Sequence, residues 1–341
     1  MKKIFALALA AAMSISLLAG CGAKEEPAPA PAPEAPTPEA SAPAEPELKL
    51  PKTLTLVAPY AAGGAVDLGA RLMAKHAAKY TDVDIVVTNI TGGGGTVGPA
   101  EVMKYPADGT YMWCSNPSPT YVATPDKPLT FDLLTDFTFV SMMVQDQRVI
   151  VVPTNNGKYN TLEEFVDYAK ANPGQIRIGC SGTGNSAYFT PYLLNQAAGI
   201  ELNIIAFDGA SEAKAAVLGG HIEAASLSYS EAVPMVKENQ VIILGIASAE
   251  RFDKLPDIPT MKEKGYDVQM YTSRGFAMKA GTDPQIIEYW SDVIGKVVED
   301  PEFLAEAEGL ALPIVYKNYV DFAEQAKNEM ELYAQLVAEI A

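Results

Sequence analysis

Four times between residues 54 and 211 an apolar run of strand type stops at a loop of small and polar residues, and a helical pattern usually follows. The loops are 60–65, 115–118, 181–186 and 207–211. Strands alternating with helices in this way predict an α/β protein built on parallel sheets with crossover helices. In such sheets a ligand binds beyond the carboxyl ends of the strands, which is where these loops lie. The first unit shows the logic. Leu54–Ala58 reads as a strand, Pro59-Tyr60-Ala61-Ala62-Gly63-Gly64 as a turn, and Leu68–Tyr80 as a helix with Leu68, Leu72 and Met73 on one face and Asp67 at the N-cap position. This turn aims backbone N–H groups and the positive end of a helix at one point, an anion site that needs no cationic side chain. It is also the ordinary form of a βα turn.

The rest of the chain extends the pattern. Asp84–Thr88 is a short strand, followed by the glycine-rich run from Asn89 to Gly98 and a helix near Pro99–Lys104. Thr110–Cys114 is a strand. Phe139–Val144 with Val149–Val152, and Val268–Met278, are two long β-rich pieces. Thr161–Ala171 is a helix with Thr161 and Glu164 in capping-box spacing. Strand Ile176–Cys180 leads to a helix at Ala187–Ala198, and strand Asn203–Ala206 to a helix ending at Leu218. Ala224–Leu227 and Val241–Ala247 are further strands around a helix starting near Glu231. Helices over 284–299, opened by Pro284, and over Asn318–Ile340 close the chain.

The N-terminal end has a different character. Met1-Lys2-Lys3 precedes an apolar run from Ile4 to Leu18, too short for a spanning helix of ~20 residues and of the length of a secretory h-region. Leu18-Ala19-Gly20-Cys21 resembles the lipobox of bacterial lipoproteins, which implies a signal peptide over residues 1–20, cleavage before Cys21 and a lipid on that cysteine. Residues 21–50 are dominated by Pro, Ala and Glu, with Pro27, Pro29, Pro31, Pro33, Pro36 and Pro38 spaced by small or acidic residues. This composition cannot bury a core, and it reads as an extended tether between anchor and folded body. Roughly 290 residues follow, more than one core usually serves, so two domains are expected.

Charge and residue inventory narrow the chemistry. The formal net charge of −17 argues against a nucleic-acid partner and requires any anionic ligand to be held by local dipoles. Of the three cysteines, Cys114 and Cys180 remain after lipidation, and buried thiols are the simplest reading of both. The two histidines, His76 and His221, lie far apart in sequence. There is no C-x-x-C, H-E-x-x-H or G-x-S-x-G, so no metal and no catalytic triad is expected. Gly93-x-Gly95-x-x-Gly98 has the letters of a dinucleotide fingerprint, but no acidic residue ends a strand at the required distance of ~20 residues. A tight turn with close backbone approach accounts for it, and no cofactor is expected. Ser181-Gly182-Thr183-Gly184-Asn185-Ser186 supplies hydroxyls and backbone donors at a helix start, either as a ligand cradle or as a cap from Asn185 or Ser186. Arg148 and Arg274, in or beside the long β-rich pieces, could fork a carboxylate or form structural ion pairs.

Taken together the motifs resemble a family. Pro59-Tyr60-Ala61-Ala62-Gly63-Gly64-x-x-Asp67 is similar to the opening motif of the solute receptors of tripartite tricarboxylate transporters, the Bug proteins. Asn89-x-x-Gly92-x-Gly94-Gly95-x-x-Gly98, Pro106-Ala107-Asp108-Gly109, Asp136-Phe137, Ser181-Gly182-x-Gly184, Leu218-Gly219-Gly220, Leu255-Pro256-Asp257-Ile258-Pro259-Thr260 and Ala280-Gly281-Thr282-x-Pro284 follow in the family's order. The resemblance covers roughly residues 52–330. It implies a type II periplasmic-binding-protein-like fold: two α/β domains around a ligand cleft, joined by two crossing strands, with domain 1 over 52–145 and 275–341 and domain 2 over 146–274. It further implies an extracytoplasmic receptor, not an enzyme, that delivers a small carboxylate to integral membrane transporter subunits.

The expected grip is Ala61, Gly63 and Gly64 from one domain and Ser181, Thr183 and Asn185 from the other. Tyr60, Asp67, Ser115, Asn116, Ser186, Tyr188, Asp208, Gly209 and Ser211 line the cleft. Tyr188 stands where many relatives have His, Asp208 where many have Lys, Ser273 where Trp is frequent, and Tyr60 where Phe is. An aspartate beside a bound carboxylate repels it, so Asp208 leaves an amino-acid-like solute open. A ligand sensor and an extracytoplasmic enzyme using Asp67 and Asp208 are the alternative uses of the same cleft.

Overall fold

A computed structural model describes residues 48–340 except Asp126; the signal peptide, Cys21 and most of the tether lie outside the described residues. Leu48 and Leu50 already pack against the core, so the packed body begins a few residues before residue 52.

The elements run β1 (Thr53–Ala58), α1 (Ala65–Ala77), β2 (Asp84–Asn89), α2 (Val97–Val102), β3 (Tyr111–Ser115), β4 (Phe137–Pro153), α3 (Leu162–Ala171), β5 (Arg177–Ser181), α4 (Ser186–Ala198), β6 (Asn203–Phe207), α5 (Ala210–Leu218), β7 (Ala224–Ser228), α6 (Tyr229–Lys237), β8 (Val241–Ile246), β9 (Tyr271–Lys279), α7 (Pro284–Glu299), α8 (Pro301–Gly309), β10 (Ile314–Lys317) and α9 (Tyr319–Ile340). They form a mixed α/β body. Helix α8 and strand β10 fall in a stretch to which the sequence pattern assigned no element. Alanines through α8 weaken the helical period there, and β10 is only four residues long, too short for a strand period to stand out.

The strand order is β2-β1-β3-β9-β4-β7-β5-β6, with β8 and β10 also pairing with β4. β1 is parallel to β2 and β3, and β5 is parallel to β6 and β7, as βαβ crossovers require. Around β4 the pairing is antiparallel. Its first part runs beside β9, from Phe137 opposite Lys279 to Gln147 opposite Tyr271. From Arg148 onward it pairs with β7, and from Val149 with β8. One 17-residue strand therefore serves both halves of the sheet, and its partner changes at Gln147/Arg148.

Hydrophobic periodicity explains which faces are buried. In α7, Ile286, Ile287, Trp290, Val293, Ile294 and Val297 recur at three- and four-residue spacing, and all are buried. Asp283 caps this helix by accepting from Gln285 N–H at 2.9 Å, with Pro284 in its first turn. In α9, Phe322, Ala326, Met330 and Tyr333 form the buried stripe, and the Phe322 ring meets Phe139 of β4 edge-on at 4.9 Å. Each such side chain contributes about 1.5–3 kcal/mol by leaving water. Trp113, Met142 and Met143 are core, as their sequence context indicates. Cys114 and Cys180 are buried free thiols, and burial raises both pKa values, Cys180 to about 11.

Candidate functional site

The first turn is built from β1 into α1. The helix begins at Ala65, three residues earlier than expected, and Val66, partly buried against the core, is in phase with Ala70 and Met73. Its N-cap is Gly64, which has no side chain to offer, so Asp67 is not the cap. Asp67 lies in the first turn, 1% exposed, and works backward. Its Oδ2 accepts Gly63 N–H at 2.8 Å and Arg71 Nε at 3.1 Å, and its Oδ1 accepts Asn89 Nδ2 at 2.8 Å. Burial raises the Asp67 pKa, but these hydrogen bonds and the Arg71 charge outweigh it, and the net shift is downward. Asp67 thus holds the loop, and its oxygens face protein donors. Gly63 sits at φ +80°, a left-handed conformation that favours glycine.

The exposed backbone of Ala61–Gly64 is braced by a polar network. Asn89 Nδ2 also donates to Tyr60 O at 3.0 Å. The Tyr60 hydroxyl donates toward Gly94 O at 3.4 Å and accepts from Asn116 Nδ2 at 3.3 Å. Asn116 Oδ1 accepts from the buried Tyr121 hydroxyl at 3.3 Å. A Cβ on Gly95 would lie 2.7 Å from the Tyr60 hydroxyl, so the close approach of the second glycine loop is to this phenol. Ser115 ends β3, buried, with its Oγ unpartnered.

The loops of the other half behave differently from one another. Asn185 caps α4: its Oδ1 accepts Ala187 N–H at 3.0 Å and Tyr188 N–H at 3.1 Å, and its Nδ2 donates to Ser181 O. The donors at the start of α4 are therefore already satisfied, and of the two readings of the 181–186 loop, capping describes Asn185. Ser186 is buried beneath it and accepts from Arg148 Nε at 3.0 Å and Nη2 at 2.8 Å, with Thr272 Oγ1 at 3.2 Å. Thr183 is exposed and Tyr188 half-buried, packed edge-on against Phe189.

By contrast α5 begins at Gly209, again an N-cap without a side-chain bond. Asp208 and Ser211 beside it are exposed, and Asp208 N–H donates to Glu212 Oε2 at 3.1 Å. In each half a glycine thus caps a helix whose first-turn N–H groups have no side-chain acceptor, Gly64 at the 13-residue α1 and Gly209 at the 9-residue α5. Among the described residues no side-chain hydrogen bond joins loops 60–64 and 115–116 to loops 181–186 and 208–211. Cavities of about 500 Å³ (Leu134, Phe139, Val320) and 250 Å³ (Thr96, Ala100, Phe131) are lined by none of these loop residues.

Two buried groups at the strand crossing have little sequence signal, because they lie in otherwise apolar runs. Arg274 of β9 pairs with the fully buried Asp146 of β4 at 3.1 Å, and Asp146 also accepts from Ser230 Oγ at 2.5 Å. Glu329 of α9 accepts Ser273 Oγ at 2.6 Å and Gln325 Nε2 at 2.7 Å through one oxygen, while the other oxygen has no partner. Burial raises the Glu329 pKa to about 7. Its signal was a pair of polar residues, Gln325 and Glu329, four apart on the apolar face of α9. Arg148 and Arg274 are engaged with protein groups, which favours their structural role.

A mixed α/β sheet in two halves sharing the long strand β4, with polar and glycine loops at the ends of the parallel strands in each half, is the architecture of a solute-binding protein of the periplasmic-binding-protein class. More narrowly, the chain belongs to the family described as tripartite tricarboxylate transporter family receptor, whose model matches residues 69–341. It is 28% identical over 289 residues to the UPF0065 protein in the gbd 5' region of Cupriavidus necator, covering 84% of this chain and 88% of that protein. A solved TctC solute binding protein from Polaromonas is 26% identical, with a TM-score of 0.74 over 84% of this chain and 98% of that one. MatC from Rhodopseudomonas palustris, solved with bound malate, shares the fold at 23% identity, with a TM-score of 0.68 over 84% of this chain and 98% of that one.

Proposed function

We propose that this receptor binds a small carboxylate between the two halves of the sheet and delivers it to the membrane subunits of a tripartite tricarboxylate-type transporter. The observation that carries the ligand class is the pair of glycine-capped helices, α1 at Gly64 and α5 at Gly209, one in each half. Unsatisfied N–H groups at a helix start favour negative charge, and small residues let a carboxylate approach the backbone. Malate in the Rhodopseudomonas palustris protein is of this chemical class. The halves, residues 52–145 with 275–341 and residues 146–274, act as two lobes. Ligand shifts their open–closed population through β4 and β9.

Tyr60, Ala61, Gly63, Ser115 and Asn116 line one lobe's face. Ser181, Thr183, Asn185, Tyr188, Asp208 and Ser211 line the other; Asp67 positions the first loop and Ser186, held by Arg148, lies beneath the second. Asp208 selects against a second carboxylate at its own position and favours a donor there. No catalytic step is assigned.

The receptor is extracytoplasmic and tethered by a lipid on Cys21, with residues 22–47 as spacer. Among the described residues no helix is long and apolar enough to cross a membrane. Native mass spectrometry of the purified protein tests the ligand class: a co-purified small acid is expected, and a bound solute lacking a carboxylate contradicts it. A diacylglyceryl mass on the Cys21 peptide, lost in Cys21→Ala, tests the anchor.

A further inference from the structure

Away from both loop groups, the last turn of α1 meets the junction of α7 and α8. His76 of α1 is 2% exposed. Its Nε2 lies 3.2 Å from Glu306 Oε1. An ionised carboxylate accepts but does not donate, so this contact takes a ring proton on Nε2, and in the neutral ring Nδ1 is then the acceptor lone pair. Nδ1 is buried and has no hydrogen-bond partner. It lies 4.0 Å from Asp300 Oδ2, another acceptor. Asp300 Oδ2 already accepts from Lys79 Nζ at 2.7 Å and from the Tyr80 hydroxyl at 3.1 Å, so the unanswered polar atom here is His76 Nδ1.

Glu302 completes the group, and the ligand atoms of His76, Asp300 and Glu302 all lie within 4.8 Å of one another.

We propose that His76 Nδ1, Asp300 and Glu302 form a site for a zinc-type divalent metal, with the Lys79 ammonium as its competitor. Zinc accepts one imidazole and two carboxylates with bonds of about 2.0–2.2 Å, which places ligand atoms about 3.3 Å apart, so a modest contraction suffices. Glu306 on the far ring nitrogen is the outer carboxylate that commonly orients a metal-bound histidine. Lys79 Nζ lies 2.7 Å from both Asp300 Oδ2 and Glu302 Oε2, where it neutralises the same two charges. Its flexible, half-exposed stem lets it leave, and the exposed Glu302 side chain opens a path from solvent. The absence of a short-range metal motif did not bear on this site, because His76 lies more than 200 residues before Asp300 and Glu302. The metal would clamp α1, whose other end carries Gly64, to the α7–α8 junction.

The test is calorimetry of untagged, chelator-stripped protein against zinc chloride, with magnesium chloride as control. One saturable zinc equivalent and no magnesium binding are expected. Lys79→Met removes the competing cation from the surface and should tighten zinc binding at least tenfold. Glu306→Gln should weaken it roughly 10–100-fold, the usual effect of losing an outer carboxylate. His76→Gln, checked for folding by circular dichroism, should abolish it. Zinc affinity unchanged in Lys79→Met, no stoichiometric zinc in either protein, or retention in folded His76→Gln overturns the proposal.

Discussion

Filling the glycine caps with a side chain should strengthen the helices and weaken the ligand. Gly209 has φ −162° and ψ 167°, extended backbone open to any residue, and a Cβ there meets nothing within 4 Å. Gly64 has φ −77° and ψ 164°, also ordinary, and a Cβ there lies 3.3 Å from Ala61 O, so the loop must give slightly. Asparagine at either position accepts a hydrogen bond from the first-turn N–H groups, as Asn185 already does for α4. As an N-cap it stabilises relative to glycine by a few tenths of a kcal/mol. The same acceptor occupies a donor that a bound carboxylate needs. A hydrogen bond to a charged group contributes about 1.5–3 kcal/mol, so affinity should fall roughly tenfold to a hundredfold per helix. The assay is calorimetry of Gly209→Asn and Gly64→Asn against the solute identified by mass spectrometry, with a thermal melt on the same samples. A raised or unchanged melting temperature with affinity within threefold of the parent refutes the role of that helix start. Gly209→Asn is the stricter test, since no strain is available to explain a loss.

Three further outcomes follow from the same geometry. Gly63→Val forces a β-branched residue to φ +80° and should cost about 1–2 kcal/mol in urea unfolding, with a proportionate loss of binding through the disordered first turn. Asp67→Asn removes a charged acceptor from Gly63, Arg71 and Asn89. It should destabilise by about 1–3 kcal/mol and weaken binding even though Asp67 faces away from the solute; an unchanged melt and affinity would deny the bracing role. Glu329 gives a pH dependence. Burial raises its folded pKa from 4.5 to about 7, so the folded state holds the proton more tightly than the unfolded chain. Stability from this group is full below pH ~4.5 and falls as pH rises to ~7, by about 3 kcal/mol in all. Glu329→Gln keeps the acceptor for Ser273 and Gln325 and should flatten that part of the stability profile; an unchanged slope assigns it to other groups.

The α/β class and most elements were legible because the signals were local: apolar runs, glycine loops at strand ends, and Asp283-Pro284 opening α7. The glycine loops at 63–64 and 209 were legible for the same reason. What could not be read was reciprocal. Asp67 looked like a cap from its position, yet the structure has it reaching back to Gly63, because the helix already begins at Ala65 and Gly64 is its cap. Asn185 was one of two residues able to cap α4, and only the coordinates distinguish it from Ser186, which turns inward to Arg148. The pairing of Arg274 with Asp146, and of Glu329 with Ser273, depends on strands brought together from distant parts of the chain.

Calorimetry of refolded, ligand-free protein against a panel of small mono- and dicarboxylates and amino acids tests the central claim most directly. The account predicts saturable one-to-one binding of at least one carboxylate-bearing solute, weakened by both Gly64→Asn and Gly209→Asn. Binding that neither substitution alters, or no binder in the panel, contradicts it.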